Sequence, residues 1–94
     1  MKLIWTGLAH SDRNAIRTYI AQDNPTAALA LDTIFSRRAR QLAAHPEIGR
    51  AGRVTGTREL VVHPDDIVVY DVAGDTVRIL RILHAARQWP PAQE

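Results

Sequence analysis

The sequence predicts an α+β fold, in which a helical hairpin packs on one face of a mainly antiparallel four-stranded sheet in the order β-α-α-β-β-β. Two amphipathic helical patterns follow a short apolar run in the first half of the chain, and three runs with strand character fill the second half. Consecutive helices followed by consecutive strands are typical of α+β architecture, in which the helices are segregated to one face of the sheet.

Length and composition indicate one domain. Ninety-four residues, 46% of them hydrophobic, can bury a single core, so we expect one domain over residues 1–94. There is no cysteine, which excludes disulfides and thiolate metal sites and fits a reducing compartment. No signal-peptide pattern is present and no apolar run approaches the length of a membrane span. We therefore expect a cytoplasmic protein that does not bind membranes.

The chain opens with a short strand and a first helix. The strand Lys2–Thr6 is apolar and ends at Gly7. Apolar residues at spacings of three and four then indicate a helix that begins near Leu8 and ends near Asp23.

A second helix follows at once. Asn24 suits an N-cap, and Pro25 suits the first helical position because proline lacks the amide hydrogen that would be unpaired there. Pro46 ends the helix, since proline disfavours helical geometry in the residue before it, here His45. The predicted buried stripe consists of Ala28, Leu31, Phe35, Ala39 and Leu42.

The second half of the chain is predicted to form three strands after a basic loop. The loop is Glu47–Gly56, and the strands are Thr57–His63, Ile67–Val72 and Thr76–His84. Gly74-Asp75 predicts a tight hairpin turn between the last two strands. The last strand is almost continuously apolar, which predicts a central position covered on both faces.

Strand alternation predicts which side chains share a face. In the second strand Arg58, Leu60 and Val62 should lie on one face and Glu59, Val61 and His63 on the other. In the last strand we expect one face to hold Arg78, Leu80, Ile82 and His84, and the opposite face to hold Val77, Ile79, Arg81 and Leu83.

The net charge of +2 conceals a basic middle segment. Residues 33–58 carry six arginines and one glutamate, whereas residues 59–94 carry three arginines and six acids. Such a block fits phosphate or an acidic protein partner. The alternative explanation of the high arginine content is a GC-rich genome, which would favour arginine codons throughout the chain. The residues predicted to bind a target or a partner are Arg50, Arg53, Arg58, Arg78, Arg81, His84, Arg87 and Trp89.

Three side chains could carry RNA chemistry. Cleavage by the RNA's own 2′-hydroxyl needs proton transfer, for which histidine is suited, and positive charge beside the phosphorane, for which arginine is suited. His84 with Arg58 or Arg81 meets this need by residue type. The alternative is that His84 caps the sheet edge and the arginines lie along solvated surface. Phosphate-binding glycine loops, zinc spacings and serine or cysteine nucleophile motifs are absent, so we expect no cofactor and no metal.

Five segments in order resemble a known family. They are Leu3–Trp5, His45–Gly49, Gly56–Leu60, Ile67–Tyr70 and Val77–Arg87, the last containing Leu-His-x-x-Arg. Together they resemble the RelE/ParE superfamily of toxins from bacterial type II toxin–antitoxin systems. The resemblance implies the β-α-α-β-β-β fold, growth arrest by the free toxin, and a hetero-oligomer with a cognate antitoxin whose C-terminal segment wraps the toxin. It also implies contact with operator DNA only through that antitoxin.

The resemblance leaves the target open. RelE-like members cleave mRNA in the ribosomal A site, whereas ParE-like members inhibit DNA gyrase without nuclease chemistry. The long helical hairpin, the His-Pro-Glu-Ile-Gly segment and the Leu-His-x-x-Arg ending favour a ParE-like gyrase inhibitor. Arg58 and His84 stand where an arginine and a histidine act in some ribosome-dependent members, although no tyrosine adjoins His84 and the strands carry no lysine cluster. A third hypothesis is a non-toxic module that binds the antitoxin or acts as a co-repressor.

Overall fold

Two helices lie against one face of a five-stranded sheet in the computed structural model, which describes residues 1–84. The elements are β1 Lys2–Trp5, α1 Gly7–Ala21, α2 Pro25–Ala44, a 3₁₀ turn Pro46–Ile48, β2 Arg50–Ala51, β3 Arg58–His63, β4 Asp66–Ala73 and β5 Thr76–His84. The α+β class and the helical hairpin are confirmed. The prediction of four strands is wrong by one, because Arg50–Ala51 in the predicted loop pairs antiparallel with Arg58–Glu59. Neither helix in residues 1–84 is long and apolar enough to cross a membrane.

The sheet has the strand order β1-β5-β4-β3-β2. β1 runs parallel to β5, and every other neighbouring pair is antiparallel. The predicted central position of β5 is therefore confirmed. Its predicted cover on both faces is not, because in residues 1–84 the helices lie on one face of the sheet and Arg78 on the other face is exposed. The pairing of β5 with β1 ends at Trp5 and Ile79, where the chain turns into α1.

Side chains fix where the helices begin. The hydroxyl of Thr6 accepts a hydrogen bond from the amide of Ala9 at 3.2 Å, and the side chain of Asn24 accepts one from Ala27 at 3.0 Å. Pro25 occupies the start of α2, as predicted. The helix hairpin is tied together by Arg13 of α1 and Asp32 of α2.

The core lies between the helices and the sheet. Tyr70, Ile79 and Ile82 from the sheet and Phe35 and Leu42 from α2 are almost completely inaccessible to solvent. The whole predicted stripe of α2 is buried. The helices therefore cover one face of the sheet, and the residues that alternate with the core positions lie on the opposite face.

A bulge in β5 changes which residues share a face. Ile79 lies opposite Tyr70 and Arg81 opposite Val69, so Leu80 is an extra residue in β5. Ile82 consequently lies in the core together with Val77 and Ile79. The prediction that Ile82 and His84 share a face with Arg78 is wrong, because the alternation shifts by one residue at Leu80.

Candidate interaction site

Asp12 of α1 holds Arg81 at the edge of β5. Asp12 is only 2% exposed, and its carboxylate accepts hydrogen bonds from Nε of Arg81 at 2.7 Å and from Nη2 at 3.0 Å. The same carboxylate accepts a hydrogen bond from the amide of Ile82 at 3.0 Å. Ile82 lies beyond Ile79, the last residue of β5 that pairs with β1. The hydrogen bond to Asp12 raises the pKa of Arg81, and burial opposes that rise. Arg81 is thus a fixed cation that joins α1 to the sheet.

Glu59 of β3 gathers two arginines of the basic segment. Its side chain is buried, and one oxygen lies 3.3 Å from Nη2 of Arg50 and 3.7 Å from Nε of Arg53. The other oxygen accepts a hydrogen bond from the backbone amide of Arg53 at 2.9 Å. The basic segment after β2 is therefore fastened to β3 by one carboxylate, which offsets part of its charge.

Arg78 of β5 also pairs with a carboxylate, on the exposed surface of the sheet. Its Nε lies 2.8 Å from a carboxylate oxygen of Asp71, the residue opposite it on β4. This hydrogen bond and the charge of Asp71 raise the pKa of Arg78.

His84 lies at the end of β5 against a buried carboxylate. Its Nδ1 is 2.8 Å from Oδ1 of Asp66, and Nδ1 of His63 is 3.4 Å from Oδ2. An ionised carboxylate only accepts hydrogen bonds, so the tautomer that bonds to it is the one with the proton on Nδ1, and in that tautomer Nε2 is left for other contacts. The exposed ring of Tyr19 on α1 approaches His84 edge-on, with ring centres 6.2 Å apart. No group of three or more His, Cys, Asp or Glu side chains in residues 1–84 is arranged to hold a metal ion.

Arg58 lies at the start of β3, beside the 3₁₀ turn. Its Nη1 donates to the carbonyl of Gly49 at 2.9 Å and more weakly to that of Glu47 at 3.5 Å. The hydroxyl of Tyr70 donates to the carbonyl of Pro46 at 2.7 Å and accepts the amide of Gly49 at 2.9 Å. Together these bonds fix the 3₁₀ turn against the sheet.

The structure does not place Arg58 and His84 in one compact site. Arg58 lies opposite Tyr70 and His84 lies opposite Asp66 on β4, four residues apart. Four residues of an extended strand span about 13 Å, and β4 lies between the two side chains. Of the other predicted binding residues, Arg87 and Trp89 lie outside the described residues.

Comparison with known proteins assigns the chain to a family. A family model described as the ParE toxin of type II toxin–antitoxin systems, parDE, matches residues 3–89. The chain belongs to this ParE toxin family. Its resemblance to the RelE/ParE superfamily is therefore confirmed, and it is the toxin component of a type II system.

The relatives of this ParE-family toxin cover nearly all of it. Toxin RelE2 of Caulobacter vibrioides is 44% identical over 86 residues, which are 92% of this chain and 97% of the relative. The putative toxin Y4kP of Sinorhizobium fredii is 36% identical over 90 residues, which are 95% of this chain and 93% of that relative. A solved chromosomal ParDE system from P. aeruginosa matches with a TM-score of 0.80 and 28% identity, covering 89% of this chain and 95% of that one.

Three acidic residues of this ParE-family toxin organise the predicted cations, and sequence reasoning missed all three. The helical spacing of α1 and the alternation of the strands predict no partner for Asp12, Glu59 or Asp66. All three are almost fully buried. A buried acid needs a partner, so acids at positions that the apolar pattern buries would have been a signal for contacts with arginine, as at Asp12 and Glu59, or with histidine, as at Asp66.

Proposed function

We propose that this ParE-family toxin arrests growth by binding DNA gyrase, as a protein ligand without catalysis. The supporting observation is the way the predicted docking cations are held. Arg50, Arg53, Arg78 and Arg81 each contact a carboxylate of the chain, and Arg58 and His84 lie at separate places on the sheet. Fixed, dispersed side chains suit an extended protein interface better than the crowded charge of a phosphorane.

We also propose that a cognate antitoxin neutralises the toxin in a hetero-oligomer and alone provides contact with operator DNA. The family match and the likeness to a solved ParDE system support a protein partner. A short neighbouring reading frame should encode a protein that copurifies with this toxin.

A supercoiling assay tests the gyrase target. Purified toxin titrated against gyrase and relaxed plasmid should inhibit supercoiling, and addition of the copurifying antitoxin should restore it. Arg40→Gln, which removes one exposed charge from α2, is a control that should inhibit as the parent does. Undiminished supercoiling in a large excess of folded toxin would rule out this target.

The second candidate is a ribosome-dependent mRNA endonuclease, favoured by the contact between His84 and Asp66. A carboxylate on Nδ1 holds an imidazole in one tautomer and leaves Nε2 for proton transfer. Translating ribosomes treated with the toxin would then show mRNA cuts that His84→Ala abolishes and that His45→Ala, at an exposed histidine, retains. Absence of cuts with the parent toxin would eliminate this candidate.

Growth separates both candidates from a non-toxic module. Cells that express the toxin without its antitoxin should stop dividing. Normal growth of cells that contain soluble, folded protein would instead indicate a module that only binds the antitoxin or acts as a co-repressor.

A further inference from the structure

A shallow pocket of about 240 Å³ opens beside Arg58. Its lining residues are Pro46, Glu47, Arg58 and Val72, and we call it the Arg58 pocket. Val72 is 42% exposed, which is unusual for a valine two residues from the fully buried Tyr70 on the same strand face. The pocket thus combines one guanidinium with an uncovered aliphatic wall.

Arg58 differs from the other sheet arginines in its charge balance. It makes no ion pair with any carboxylate of residues 1–84, whereas Arg78 and Arg81 each have one. The nearby carboxylate of Glu47 instead lies 3.9 Å from Nδ1 of His45. Nη1 of Arg58 is occupied by backbone carbonyls, and its Nε and Nη2 have no hydrogen-bond partner within residues 1–84. One edge of a cationic fork is therefore available for an anion.

The walls of the Arg58 pocket are held in place before any ligand binds. The hydroxyl of the buried Tyr70 bonds to Pro46 of the 3₁₀ turn and to Gly49, which directly follows the turn. Arg58 is itself oriented by the carbonyl of Gly49 at 2.9 Å. A ligand would meet a preformed guanidinium edge, which lowers the entropic cost of binding.

We propose that the Arg58 pocket receives an acidic side chain of the antitoxin, whose neighbouring aliphatic residue packs on Val72. A carboxylate matches the available edge of the guanidinium with two parallel hydrogen bonds. An aliphatic wall suits a peptide side chain. Glu47, which also lines the pocket, opposes any anion, but a peptide brings one carboxylate past it whereas a nucleic-acid backbone brings several phosphates. This proposal rests on the antitoxin partner proposed above.

Calorimetry with peptides tests the proposal. Synthetic peptides that tile the copurifying antitoxin are titrated into purified toxin, and the binding peptide is repeated with each acid changed to its amide. Arg58→Gln should weaken binding about tenfold to hundredfold, the range for a charge-assisted pair. Val72→Glu leaves the bonds between Arg58 and the 3₁₀ turn intact and places a competing carboxylate in the pocket, so it should weaken binding similarly. Arg40→Gln should bind as the parent does.

A charge reversal identifies the paired acid. The toxin variant Arg58→Glu should bind the parent peptide poorly and recover affinity for a peptide in which one particular acid is replaced by lysine. Inorganic phosphate serves as the competing probe. Release of the peptide by millimolar phosphate, without recovery in the charge reversal, would assign the pocket to nucleic-acid phosphate and overturn the proposal.

The outcomes separate this proposal from the function on which it rests. If an antitoxin binds Arg58→Gln and Val72→Glu as tightly as the parent, the pocket assignment is wrong and the antitoxin remains. If no antitoxin copurifies with the parent toxin, the proposed partner is wrong and the pocket assignment falls with it.

Discussion

The hydroxyl of Tyr70 positions the 3₁₀ turn through two hydrogen bonds, one to Pro46 and one from Gly49. Burial raises the pKa of this phenol, while the amide of Gly49 and the charge of Arg58 oppose the rise. We expect Tyr70→Phe to lower the free energy of unfolding by about 1–3 kcal/mol, because two backbone groups lose their partner. Urea denaturation measures the loss. Tyr19→Phe, at an exposed tyrosine, is the control, and equal losses in both variants would contradict this role of Tyr70.

Gly49 is required by the same contact. A Cβ added there would lie 2.3 Å from the hydroxyl oxygen of Tyr70 and 2.6 Å from its Cε1. The buried ring cannot move away without losing its hydrogen bonds, so Gly49→Ala should cost about 1–3 kcal/mol as an overpacked site. The melting temperature should fall by several degrees. Gly7→Ala meets nothing within 4 Å and lies at the start of α1, so an unchanged or slightly raised melting temperature is expected there.

At the scale of elements, the helical hairpin is held by an ion pair whose strength depends on pH. Nε of Arg13 lies 2.6 Å from Oδ1 of Asp32, and its guanidinium lies 4.8 Å from the centre of the Trp5 ring. The hydrogen bond from Arg13 lowers the pKa of Asp32 below 3.8, and the positive charges of Arg13 and Arg17 lower it further. Desolvation by burial raises the pKa of Asp32 and so offsets part of this shift.

A carboxyl group whose pKa is lowered by folding stabilises the fold at pH values above its pKa in the unfolded chain. This stabilisation is lost as the pH falls through the pKa that the group has in the folded protein. Asp32→Asn should therefore be less stable than the parent at pH 7, and the difference should shrink as the pH falls below about 4, the ordinary pKa of an aspartate. Urea denaturation at several pH values gives this difference. Asp23→Asn removes a carboxylate from the same hairpin without breaking an ion pair of residues 1–84. A constant difference for Asp32→Asn across the pH range would argue against the ion pair.

The elements were predictable where a local signal defines them. Apolar spacing and the Asn24-Pro25 signal gave α2, and Gly74, with a φ of 61°, forms the predicted turn between β4 and β5. The faces of β5 were not predictable, because the bulge at Leu80 depends on how β4 pairs with it. β2 has two residues and no periodicity of its own, so its pairing with β3 could not be seen in the sequence.

At the scale of the whole molecule, the residue types of the candidate site were predictable and their pairing was not. Arg81 and Asp12 are 69 residues apart in the chain, and only the packing of α1 beside β5 brings them together. A count of arginines therefore overstates the positive charge that the surface presents. The basic middle segment is joined to Glu59, which follows it in the sequence and was counted with the acidic end of the chain.

This charge compensation predicts how the toxin binds nucleic acid. Glu59→Gln raises the net charge from +2 to +3 and removes the anion that Arg50 and Arg53 share, while a side-chain oxygen remains for the amide of Arg53. We expect tighter non-specific binding of a single-stranded RNA oligonucleotide and a steeper salt dependence, by about one phosphate contact or more. Fluorescence anisotropy between 50 and 200 mM salt measures both quantities. Asp65→Asn makes the same change in net charge at an exposed turn. If both variants gain affinity equally, net charge alone explains the effect and Glu59 does not restrain the basic segment; a larger gain for Glu59→Gln supports that restraint.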